Sequence, residues 1–212
     1  MQRLAGRYLA EVWDHLPLAT QLRLVTHLGT LVAQLHALPT DGLDVLDADW
    51  PSLVVDRIHG CVTRHREQGM PEAWLEQLPA YLAYAQPLYP PSFAPAIVSG
   101  DIHQYHLLVD DAQGHWRLAG LFDFDDARIG FAEYDLAATG LFLMHGRPHL
   151  LRAFLQAYGY RDADRTDALS HRLLAYTLLH RYRRFTWVRD EVIGDQTCTT
   201  FAQLATTIYA FG

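Results

Sequence analysis

At residue 96 the sequence changes period, and that change constrains the fold more than any other feature. Before it, apolar residues recur at helical steps. Leu22, Leu24, Leu28, Leu31, Val32, Leu35 and Leu38 predict a helix over 18–38, closed by Pro39 and Asp41-Gly42. A second helix is expected over 51–68, with Pro51 in its first turn and Gly60 as its weak point. A third is expected over 71–85, with Trp74, Leu75, Leu78, Tyr81 and Leu82 on one core-facing side. The proline-rich run 87–91 then fixes a loop. From residue 96 short strand-like runs take over: Ala96-Ile97-Val98, then Leu107-Leu108-Val109, a turn over 110–114, and a third run over 116–122. After Gly130 helical spacing returns, over about 133–144, 148–158, 164–190 and 198–210. The fold class is therefore mainly α with a small β element, an α+β arrangement. We expect a single domain over 1–212, with a lead-in over 1–14, helices over 15–95, polar loops on short strands over 96–130, and helices over 131–212.

Composition narrows the function. Half of the 212 residues are apolar and 19% are charged, enough to build a core and too apolar for a disordered chain. No run of 18 uncharged apolar residues suggests a membrane span, and the N-terminus has no apolar run of the kind a secretory signal needs, so a cytoplasmic protein is expected. A net charge of −7 argues against nucleic acid as the main partner. Cys61 and Cys198 are read as ordinary thiols. All 17 basic residues are arginine. Without lysine the chain alone completes no Schiff-base, P-loop-lysine or kinase strand-lysine mechanism.

Polar residues concentrate in two loops beside the short strands. One is Ser99-Gly100-Asp101-Ile102-His103-Gln104-Tyr105-His106; the other is Phe122-Asp123-Phe124-Asp125-Asp126-Ala127. In phosphoryl transfer an Asp accepts the proton of the attacking hydroxyl, a residue a few positions on binds metal, and an Asp in a D-F-x turn binds metal across the phosphates. Asp101, His106 and Asp123 follow that order, with a hairpin between them.

Those residues carry a resemblance. Ser99-Gly100-Asp101-Ile102 through His106-Leu107-Leu108, the hairpin, Leu121-Phe122-Asp123-Phe124 through Gly130, and Glu133-Tyr134-Asp135-Leu136-Ala137 resemble the C-terminal lobe of aminoglycoside phosphotransferase and choline kinase-like small-molecule kinases. Residues 4–9 resemble the segment after that family's hinge, and Leu28 to His36 its L-G-x-x-L-A-x-L-H helix. The resemblance implies a protein-kinase-like C-lobe. It implies Asp101 as catalytic base, His106 and Asp123 as ligands of Mg2+ or Mn2+, and nucleotide contact at Leu108 and Phe122. It further implies ATP or GTP as donor and a small-molecule hydroxyl acceptor of the antibiotic, amino alcohol or sugar kind. Asp135 is expected to brace the catalytic loop rather than react.

The chain departs from the family pattern at three points. Ser99 stands where a histidine is usual, and His106 where asparagine is usual; an imidazole there favours a softer ion such as manganese. The matches begin where the family's N-terminal lobe ends, so its glycine-rich loop, lysine and glutamate have no counterpart. A rival expectation is accordingly a non-catalytic lobe, with an apolar face near 1–12 and 107–122 covered by a homodimer partner or another chain. A metal-dependent phosphoesterase is a remote rival, because Gly100-Asp101-Ile102-His103 lacks the later G-N-H motif of that class. Asp125 and Asp126 are expected to be solvated rather than a second metal contact, and the run 180–184 to be a solvated or internally paired surface; contact of His103 with phosphate or substrate is the less favoured reading of that residue.

Overall fold

The computed structural model describes residues 5–89, 92–112, 114–144, 146–180, 185–188 and 198–212. Its strands are β1 (Arg7–Tyr8), β2 (Ala96–Val98), β3 (Leu107–Ala112), β4 (His115–Leu121) and β5 (Arg128–Gly130). Its helices are α1 (Leu18–His36), α2 (Trp50–His59), α3 (Cys61–Glu67), α4 (Glu72–Leu75), α5 (Leu78–Ala85), α6 (Glu133–Met144), α7 (Pro148–Tyr158), α8 (Asp167–Leu179), α9 (Phe185–Trp187) and α10 (Phe201–Ile208). The expected mainly helical fold with a small β element is what is found.

Two of the expected helices are each split. The one over 51–68 breaks at Gly60, the poorest helix former short of proline. The one over 71–85 breaks between Leu75 and Leu78. Pro79 has no N–H to give the Leu75 carbonyl, and its ring would collide with that carbonyl in a continuous helix. The expected helix over 164–190 is shorter, and α8 ends at Leu179. His180 is extended, with φ −69° and ψ 133°. The rest of the basic run, 181–184, lies outside the described residues, as does 189–197.

The strands form two small antiparallel sheets, β1-β3-β4 and β2-β5. β1 and β5 were not expected, since two- and three-residue strands carry no readable alternation. The turn expected over 110–114 is narrower. Asp110 and Asp111 belong to β3, opposite Arg117 and Trp116. Arg117 grips Asp110 through two nitrogens, at 2.6 and 2.9 Å, which holds the hairpin tip in register.

This topology positions the polar loops. Residues 99–106 run from β2 to β3, and residues 122–127 run from β4 back to β5. Both loops therefore cross the same gap between the two sheets, side by side. The Phe122 amide donates to the His106 carbonyl at 3.1 Å and ties them together. Beneath them α6 is buried along its whole length, and α1 lies along α7. That contact is close enough that a Cβ on Gly29 would sit 2.3 Å from the Phe154 carbonyl oxygen. Trp74 packs on Phe185 and Phe201, and Tyr81 on Phe201, so the expected aromatic stripe is core.

Candidate active site

The β2–β3 loop turns at Gly100, whose φ of +82° suits a residue without Cβ. A Cβ there would also press to 3.3 Å on the Asp126 backbone oxygen in the neighbouring loop. The turn is held from below. The Ser99 and Gly100 amides donate to the two carboxylate oxygens of Asp135 at 2.8 and 2.7 Å, and His180 Nε2 meets the Gly100 carbonyl oxygen at 2.7 Å. Asp135 is fully buried and also meets His36 Nε2 at 3.1 Å; His36 Nδ1 meets the Tyr158 hydroxyl at 2.9 Å. So Asp135 braces the loop, as expected. His180 does the same from the end of α8, a role the sequence reading missed when it grouped His180 with a basic surface run. Eighty residues separate His180 from Gly100, and no spacing rule links them.

Above this support the candidate residues converge. Asp101 is half-buried. His103 Nε2 lies 3.4 Å from its Oδ2, and His106 Nδ1 lies 3.8 Å from the same oxygen. Burial pushes the Asp101 carboxyl up, but the hydrogen bond from His103 and the neighbouring His103, His180 and His106 imidazoles outweigh it, so its pKa falls below the ordinary carboxylate value. His106 Nδ1 also meets the Asp101 carbonyl oxygen at 2.9 Å. A carbonyl only accepts, so Nδ1 donates in that bond. Nε2 faces Asp123, whose Oδ2 is 3.2 Å away in the other loop.

His106 and Asp123 are thus brought together from sites 17 positions apart. Asp123 has φ +66°, the left-handed region that a non-glycine residue enters at a cost; among the described residues it alone does so without being glycine. The donor pair fits a divalent ion. Bonds of about 2.1 Å put adjacent ligands of an octahedral ion about 3 Å apart, close to the separation found. Leu108 is 8% exposed on β3, opposite Tyr8. Phe122 stands between the Tyr8 and His106 rings, at 6.0 and 5.7 Å. Asp125 is exposed, as expected of a solvated residue, whereas Asp126 is half-buried against Gly100 because the two loops pack there.

A groove of about 380 Å3 runs beside β4, lined by His27, Leu31, Leu35, Leu118, Leu121 and Phe124. Tyr8 is also exposed on the β1 side of this sheet. Among the described residues no helix is long and apolar enough to cross a membrane.

A profile of the phosphotransferase enzyme family matches residues 1–169. No curated protein matches the sequence significantly. Among solved structures, the GDP complex of a point mutant of aminoglycoside 2'-phosphotransferase-IIIa is similar with a TM-score of 0.63 and 19% identity, over 89% of this chain and 65% of that one. The streptomycin–ATP–APH(2")-IIa ternary complex is similar with a TM-score of 0.54 and 16% identity, over 93% of this chain and 68% of that one. Macrolide 2'-phosphotransferase type I is similar with a TM-score of 0.50 and 21% identity, over 86% of this chain and 57% of that one. The chain thus spans about two thirds or less of the length of these structures. At these identities the likeness concerns the fold, which is protein-kinase-like.

Proposed function

The chain belongs to the phosphotransferase enzyme family, and from that premise we propose that it moves the γ-phosphoryl group of ATP or GTP to a hydroxyl of a small molecule. The observation that carries this reading is the meeting of His106 Nε2 and Asp123 Oδ2 at 3.2 Å, with Asp101 beside them on the same loop. Asp101, ionised, accepts a hydrogen bond from the acceptor hydroxyl and takes its proton as attack proceeds. The new bond joins the acceptor oxygen to the γ-phosphorus. The bond from that phosphorus to the β–γ bridging oxygen breaks, and the nucleoside diphosphate leaves with the electron pair. His106 and Asp123 would hold a divalent ion, magnesium or manganese, and such an ion would neutralise charge on the donor phosphates. Leu108 and Phe122 supply apolar contact to the nucleotide from the hairpin side.

The solved structures that this fold resembles include GDP and ATP complexes and a complex with streptomycin. They support a nucleotide donor and an antibiotic-like acceptor, without selecting one acceptor. The deciding experiment is transfer of labelled γ-phosphate to a panel of aminoglycosides, macrolides and amino alcohols, with Asp101→Asn as control. Transfer to none of them would count against the reading.

A second reading has its own observation. The apolar groove beside β4 and the exposed Tyr8 fit a lobe that binds another chain, including a second copy of itself, without turnover. A concentration-independent monomer in analytical ultracentrifugation would remove the homodimer form of it.

A further inference from the structure

Asp101, His103 and His106 form a second donor set, which shares His106 with the His106–Asp123 pair. One ligand atom from each lies within 4.8 Å of the others, and all three side chains are half-buried. We propose that these three residues bind a tetrahedral transition-metal ion of the zinc type, with water as fourth ligand. The geometry supports this. A tetrahedral ion with bonds of about 2.0–2.1 Å holds its ligands about 3.3–3.4 Å apart. Asp101 Oδ2 lies 3.4 Å from His103 Nε2 and 3.8 Å from His106 Nδ1, near that spacing, and ligation gives up the 2.9 Å bond of His106 Nδ1 to the Asp101 carbonyl. Two imidazoles and one carboxylate also favour zinc or cobalt over magnesium, which prefers oxygen ligands.

The second shell is already present. For His106 to ligate through Nδ1 its proton moves to Nε2, which then donates to Asp123 Oδ2 at 3.2 Å. That is the carboxylate–histidine–metal arrangement that fixes tautomer and ring orientation at metal sites. For His103 to ligate through Nε2 its Nδ1 takes the proton and gives up the 3.1 Å contact from the Tyr105 amide.

One imidazole therefore serves two sites in opposite tautomers. With Nδ1 bonded to the Asp101 carbonyl, Nε2 is free for the ion it shares with Asp123. With Nδ1 on the tetrahedral ion, Nε2 is spent on Asp123. The two sites exclude each other. If Asp101 is the base, zinc there also takes the base out of use; that consequence rests on the phosphotransfer reading, whereas the binding site does not.

The test is a Co2+ titration of the metal-free protein, read by visible absorption, because tetrahedral Co2+ absorbs far more strongly than octahedral Co2+. One equivalent should give an intense band that added Zn2+ abolishes. His103→Gln should weaken that binding by at least about tenfold. Asp123→Asn should leave the band in place, since an amide oxygen accepts the same bond from His106 Nε2. His103→Cys should retain binding and add a sulfur-to-cobalt charge-transfer band, which guards against loss of the fold in the glutamine variant. An absent band, a band that survives His103→Gln through the other histidines, a band lost in Asp123→Asn, or no charge-transfer band in His103→Cys would each overturn the proposal. None of these results bears on whether His106 and Asp123 hold the ion of a nucleotide complex.

Discussion

His36 Nε2 and Asp135 Oδ2 meet at 3.1 Å beneath the β2–β3 loop, with the Asp135 side chain wholly buried and that of His36 nearly so. Asp135 accepts at the same time from the Ser99 and Gly100 amides, so one carboxylate joins α1, α6 and the loop that carries Asp101. Removing it strands two amides and an imidazole in the interior. Asp135→Ala should therefore cost about 3–5 kcal/mol. In a chain of this size that lowers Tm by about 10 °C or more. Thermal unfolding by circular dichroism reads it, and a loss below about 1 kcal/mol would mean that water or a rearranged loop replaces the carboxylate.

Asp101→Asn keeps the shape of the side chain and removes its ability to take a proton. Its expected signature is a drop in phosphotransfer of about 10²–10⁴-fold, with nucleotide binding retained. Asn also loses the charge that draws His103 and His106 toward Asp101, but the 2.9 Å bond from His106 Nδ1 goes to the backbone carbonyl and survives. Undiminished transfer in the variant would take the base role away from Asp101.

The elements the sequence made legible are those with long period or strong punctuation. α6 and α7 are found over 133–144 and 148–158, where the helical spacing puts them, and β2 is found over 96–98 as expected. Gly60, the weak point the sequence shows in the 51–68 helix, is where that helix breaks, whereas the break before Pro79 was masked by the continuous apolar spacing of 71–85, although proline's missing N–H and its ring forbid an unbroken helix there. The meeting of His106 with Asp123 followed from motif order. The support of the loop by His180 did not, because it depends on where α8 ends. The contact of His103 with Asp101 did not follow either: its i+2 spacing says nothing about side-chain direction until the turn at Gly100 is in place.

Asp123→Ala removes one of the two groups that face each other across the loops. For the unmodified chain, nucleotide with Mg2+ or Mn2+ at a hundred times Kd should stabilise by about 2.7 kcal/mol, a rise in Tm of about 5–10 °C. The rise should vanish in Asp123→Ala. His106→Asn should keep it with Mg2+ and lose the advantage of Mn2+, since an amide oxygen replaces an imidazole nitrogen. A nucleotide-dependent rise that persists in Asp123→Ala would place the ion elsewhere.

His65 gives the fold a pH dependence whose sign is fixed by its burial. Its Nε2 meets the Leu178 carbonyl oxygen at 2.8 Å, while Nδ1 is buried with no hydrogen-bond partner among the described residues. Burial lowers its pKa below 6.5, and the bond to Leu178 only partly offsets that. His171, against the Tyr81 hydroxyl, is lowered too, again by burial. A histidine whose pKa is depressed on folding binds its proton more readily when unfolded, so stability rises with pH between the two values. The contribution is complete above about 6.5, the ordinary histidine value, and is lost as pH falls through the folded value. Tm should therefore fall as pH is taken from 7.5 to 5.5. In His65→Gln, whose amide still donates to the Leu178 carbonyl, that fall should be shallower, because one of the two groups no longer titrates. An unchanged slope in the variant would mean that His65 is protonated within the fold, and that its Nδ1 proton has found an acceptor.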